Sequence, residues 1–92
     1  MLEVNKQYKR NSDVIIKNVG KTFVALNTET GSEYKINVVS YDMLDILADE
    51  MSVQELITKM LEIYDSSTDV IVSDCENWIP EALMKGLIVE AK

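Results

Sequence analysis

The hydrophobic period of this chain changes near Asn37, and that change restricts the fold more than any other feature. Before it, apolar and polar residues alternate, as in Glu33-Tyr34-Lys35-Ile36-Asn37; after it, apolar residues return every three or four positions as far as Gly86-Leu87-Ile88. A period of two suits strands and a period near 3.6 suits helices. The pattern predicts an α+β fold, a three-stranded antiparallel sheet followed by three helices in the winged-helix-like manner. Such a domain leaves a strand edge beside a helix and little room for an enclosed cavity. It is built to grip.

Ninety-two residues make one domain, with 47% hydrophobic residues available for its core. The expected limits are a loosely ordered lead-in over 1–12, a single domain over 13–89 and a tail over 90–92. No run reaches the ~18–20 consecutive apolar residues of a membrane span, and the N-terminus lacks a signal-peptide pattern. Cys75 is the single cysteine, which excludes an internal disulfide and fits a cytoplasmic location.

The chain has no histidine. That removes the commonest general base, the usual nucleophile–histidine pairs and most zinc sites. The acids that cluster (Asp42, Asp45, Asp49 and Glu50) fall where a helix turns them to water. No enzymatic activity, metal or cofactor is expected. A net charge of −7 with scattered lysines argues against nucleic acid, which needs clustered cations.

Asp13–Lys17 is rich in β-branched residues and reads as a first strand, with Gly20 in the turn that follows. Thr22–Leu26 is the second strand and Ser32–Val38 the third, with Tyr34, Ile36 and Val38 on one face. Short connections favour a meander, which makes the third strand an edge. The first helix is expected to start near Ser40 as N-cap, burying Tyr41, Leu44, Leu47, Ala48 and Met51. The second opens on Ser52-Val53-Gln54-Glu55, a capping-box pattern, and buries Val53, Leu56, Ile57, Met60, Leu61 and Tyr64. The third runs from about Val70 to Lys85 and stops at Gly86.

At about 100° per residue, Ile71, Cys75, Trp78 and Ala82 of the third helix share an arc of roughly 60° and form its core contacts. Val72, Ile79 and Leu83 widen the apolar arc to one side, while Asp74, Glu81 and Lys85 make the other side polar. Were the apolar side to border the third strand, it would wall an unpaired strand edge; the alternative is that these residues pack on the sheet. Pro80 removes one helical hydrogen bond, so the helix bends there or breaks into two pieces.

An edge strand offers backbone groups without partners, and charges such as Glu33 and Lys35 are one way of protecting it. Strand addition by an incoming peptide is the other use of such an edge, with side-chain pockets setting specificity.

Leu26-Asn27, Gly31, Tyr34, Ile36-Asn37, Leu44, Leu47, Ser52-Val53-Gln54-Glu55-Leu56-Ile57, Tyr64, Asp74-Cys75 and Gly86-Leu87-Ile88 together resemble the PqqD-like proteins, the RiPP recognition elements of peptide-modification pathways. The resemblance covers about Asp13 to Val89. It implies a non-catalytic protein that binds the leader segment of a ribosomally made precursor peptide as an added strand between the third strand and third helix. By position, the peptide-binding residues it implies are Glu33, Tyr34, Lys35, Ile36 and Asn37 on the strand, with Val72, Cys75, Glu76, Ile79 and Leu83 on the helix. The short turns look most like the small recognition protein of lasso-peptide clusters, which presents the precursor to a separate leader peptidase and a cyclase. Glu50 stands where the family often has glycine, and Pro80 is unusual. The alternatives are a pyrroloquinoline-quinone-type peptide carrier, a recognition element for another modifying enzyme and, remotely, a winged-helix DNA binder.

Overall fold

A computed structural model describes residues 6–91 of the chain. It contains six strands and three helices in the order β1 (Gln7–Arg10), β2 (Val14–Val19), β3 (Thr22–Asn27), β4 (Glu33–Ile36), α1 (Val38–Ile46), β5 (Met51–Ser52), α2 (Val53–Ile63), α3 (Thr68–Met84) and β6 (Ile88–Ala91). The strands form two antiparallel sheets, β2-β3-β4 and β5-β1-β6. The expected meander is the first of these, and β4 is its edge.

The β2–β3 hairpin turns at Gly20-Lys21, where Gly20 has φ of 62° and Lys21 does not take positive φ. Positive φ at the first loop position alone is the mark of a type II′ turn, whose twist matches that of the strands. The β3–β4 turn is organised by Asn27. Its Oδ1 accepts the N–H groups of Glu29 and Thr30 at 2.9 and 3.2 Å. Gly31, at φ 78°, donates to the Asn27 carbonyl while the Asn27 N–H donates to Ser32 O, which together form a G1 bulge.

Helix α1 starts three residues before the expected Ser40, because Asn37 is the N-cap and its Oδ1 accepts from the Ser40 N–H at 2.8 Å. Both residue types cap well, and the earlier one ends the strand. Met43, Leu44 and Leu47 face the core, whereas Ala48 lies exposed beyond the helix. Tyr41 is half-buried, its ring 5.0 Å from that of Phe23. Helix α2 opens on the expected capping box between Ser52 and Glu55. Helix α3 begins at Thr68, capped by Ser67, and runs unbroken past Pro80, which is exposed. It ends in a Schellman motif: Gly86 (φ 71°) donates to Leu83 O and Leu87 donates to Ala82 O.

The lead-in expected over 1–12 is ordered from Gln7. Strand β1 lies between β5 and β6, with Gln7 opposite Ala91 and Arg10 opposite Ile88. Tyr8 is buried, Arg10 donates to the Leu44 carbonyl at 3.2 Å, and Asn11 donates through its side chain to Gly86 O at 3.0 Å. The expected tail likewise falls partly within β6. Lys92 and residues 1–5 of the expected lead-in lie outside the described residues. A single hydrophobic core, centred on Met43, Leu44, Leu47, Leu56, Met60, Cys75, Ile79, Leu87 and Ile88, joins both sheets to the helices. No helix of the described residues is long and apolar enough to cross a membrane.

Candidate peptide groove

The register of β4 decides which of its backbone groups are available. It pairs with β3 through Leu26↔Glu33, Ala25↔Tyr34, Val24↔Lys35 and Phe23↔Ile36. The Asn27 N–H bonded to Ser32 O at 2.9 Å sets the phase of the ladder. Bonded and non-bonded pairs alternate along antiparallel strands. Tyr34 and Ile36 therefore turn their N–H and C=O toward β3, and Glu33 and Lys35 turn theirs to the open side. Among the described residues no strand occupies that side. In particular, β1 pairs elsewhere.

Two adjoining clefts, which share Asn37, Ser40, Trp78 and Glu81, separate α3 from the end of β4 and from the start of α1. One, of about 300 Å³, is lined by Val39, Met43, Asp74 and Asn77 besides these. The other, of about 160 Å³, adds Lys35, Ile36, Ala82, Lys85 and Leu87. Together they make one groove, bounded by β4 and the start of α1 on one side and by α3 on the other. Trp78 stands in its middle, half-buried. The Lys85 ammonium lies 5.5 Å from the Tyr34 ring centroid, a contact between the end of α3 and β4, and is bonded at 2.7 Å to Glu81 one turn back on the helix.

Glu33 to Ile36 stand on β4 as the sequence placed them, but the expected strand stops there: Asn37 caps α1, its carbonyl accepts the Tyr41 N–H at 3.0 Å, and Val38 is the first residue of the helix. On α3 the arrangement differs. Cys75 and Ile79 are fully buried at 0% exposure in the core beneath the helix and line neither cleft. Val72, Glu76 and Leu83 lie about 160–200° round from Asp74, on the flank turned away from the groove. The groove is walled instead by the flank of Asp74, Asn77, Trp78, Glu81 and Lys85, an arc of about 100°. The helix is rolled so that its polar flank, and not its apolar one, borders β4. Trp78 was the available signal: a large aromatic on the rim of the core stripe, with polar residues at i−4, i+3 and i+7.

The core beneath α3 is inert. Burial pushes the Cys75 thiol up to about 11, with the charge of Asp74 adding to the shift, and its Sγ lies 3.9 Å from the Sδ of Met43. Asp42, expected to face water, instead accepts a hydrogen bond from the Tyr64 hydroxyl, joining α1 to the end of α2. Among the described residues no group of three His, Cys, Asp or Glu side chains is placed to hold a metal ion. The arrangement offers backbone donors and acceptors, one aromatic wall and charged rims, which is the chemistry of peptide binding.

Comparison with known proteins agrees with this geometry. The family model for Coenzyme PQQ synthesis protein D (PqqD) matches residues 22–88. The solved structure of TbiB1 in complex with the TbiA(beta) leader peptide superposes with a TM-score of 0.71 at 16% identity, covering 87% of this chain and 93% of that one. That of lasso peptide synthetase B1 complexed with the leader peptide gives 0.70 at 12%, covering 89% and 96%. At such identities the likeness is one of fold. No curated protein sequence matches the chain significantly.

Proposed function

Because the chain belongs to the PqqD family, we propose that it is a non-catalytic adaptor that takes up the leader segment of a ribosomally synthesised precursor peptide. The leader adds as a strand to β4, and the complex presents it to a separate leader peptidase and modifying enzymes of lasso-peptide biosynthesis, in the cytoplasm where such precursors are made. One observation carries this reading: β4 is an unpaired edge whose Lys35 lines a groove walled by the Trp78 flank of α3. The leader peptides in both solved relatives support it.

Division of labour follows from the geometry. Glu33 and Lys35 supply the pairing edge, held in place by Tyr34 and Ile36, and that edge fixes register without reading sequence. Side chains of the leader that point toward α3 meet Trp78 and its polar neighbours, which sort one leader from another. Cys75 and Ile79 act from below by holding the helix in place. Val72, Glu76 and Leu83 take no direct part.

Trp78 is the chain's only tryptophan, so its emission reports on the groove alone. Titration with synthetic leader peptides is expected to shift that emission saturably and to move the amide signals of Glu33 and Lys35. A scrambled leader should do neither. Leader peptides that leave both signals unmoved at high concentration would overturn the proposal.

A further inference from the structure

The groove is electrically uneven along its length. At the end where α1 begins, the larger cleft carries the carboxylates of Asp74 and Glu81 beside the indole of Trp78, with no basic side chain in its lining. Asp74 forms no ion pair among the described residues. Glu81 is paired by Lys85, but Lys85 lines only the other cleft. The N-terminus of α1 contributes about half a positive charge there, and Asn37 already caps the Ser40 N–H. One full carboxylate and one shared one outweigh that half charge. The opposite end holds Lys35 and Lys85, of which Lys85 is offset by Glu81, so Lys35 gives that end its net positive charge.

We propose that the larger cleft takes a cationic side chain of the bound peptide, arginine or lysine, lying over Trp78 with its charge beside Asp74. This rests on the strand-addition reading and adds to it a chemical class for one position of the ligand. The chemistry is doubly suited. An aromatic face attracts a cation through its quadrupole, and an exposed carboxylate at the rim adds a salt-screened Coulombic attraction. The cleft's volume accommodates a long unbranched side chain. An acidic residue would meet like charge at this end, whereas Lys35 would accept it at the other. The uneven charge thereby sets which way along β4 the peptide lies.

The test uses the full chain and positional pools of twelve-residue peptides, each with one position fixed as Arg, Lys, Gln, Glu or Leu and the others randomised. Binding is read from Trp78 emission. Pools with Arg or Lys at one position are expected to bind about three- to tenfold better than the matching Gln pool at low ionic strength. The advantage should shrink in high salt. Asp74→Asn is expected to abolish most of the advantage, and Asp74→Lys to turn it toward Glu. Asp74 is exposed, so neither substitution threatens the core; circular dichroism checks the fold. Pools that bind saturably with Leu or Gln equal to Arg at every position, or an Arg preference unchanged in Asp74→Asn, would overturn this inference and leave strand addition standing. Binding of none of the pools at millimolar concentration would remove both.

Discussion

At Cys75 and Tyr64 folding holds a proton in place. Burial first, then the charge of Asp74, raises the thiol to about 11. Burial first, then the hydrogen bond to Asp42 and the charge of that carboxylate, raises the phenol to about 12. Both groups are neutral when protonated, and both bind their proton more tightly in the folded chain. Their contribution is therefore complete below the unfolded values, 9.0 for the thiol and 10.0 for the phenol, and is lost as pH rises through the folded ones. The urea midpoint is expected to hold steady from neutral pH to about 9 and to fall between about 9 and 12. In a Cys75→Ala variant the decline should begin nearer pH 10, where the phenol of an unfolded chain ionises. A thiol-reactive disulfide reagent should label the native protein far more slowly than the urea-unfolded chain, because only the exposed thiolate reacts. Burial of Cys75 was legible from its place on the helical wheel. The roll of α3 about that wheel was not, since Val72 and Leu83 are as apolar as any core residue and only tertiary packing decides which flank meets β4.

Individual elements show where local chemistry was enough. The Ser52–Glu55 box and the stop at Gly86 were readable because the residues that specify them are adjacent in sequence. Helix α1 was harder: Asn37 and Ser40 both offer capping side chains, and Asn37 also continues the alternation of β4. At Gly86 the left-handed conformation is obligatory for the Schellman turn. A Cβ there would come no closer than 3.8 Å to Asn27, so Gly86→Ala is penalised by backbone strain alone. It should destabilise the fold by about 1–2 kcal/mol, measured by chemical denaturation. For β4, the outward Lys35 N–H takes no part in pairing with β3. Lys35→Pro is thus expected to weaken leader binding markedly while the β2-β3-β4 amide signals persist, because the docking strand loses one donor and the resident sheet loses none.

Across the whole molecule, the second sheet is what the sequence concealed. Strand β1 carries one apolar residue in four, and its partners come from the middle and the far end of the chain, so no local pattern announces it. Yet it is the middle strand of its sheet, with Tyr8 only 4% exposed in the shared core. Tyr8→Ala is expected to cost about 3–5 kcal/mol, as for other large aromatic truncations, a large share of the stability of a domain this size. Thermal unfolding followed by circular dichroism would measure it; a change under about 1 kcal/mol would mean β1 is dispensable to the fold. The family match, beginning at residue 22, excludes β1 altogether.

The antiparallel pairing of Gln7 with Ala91 brings the chain's first and last described strands side by side, in the sheet that does not include β4. Chain leading into Gln7 and chain leading out of Ala91 therefore meet the domain at neighbouring points. A larger enzyme could carry this module as a pendant, attached front or back, without a rearranged topology and with the docking margin still unobstructed.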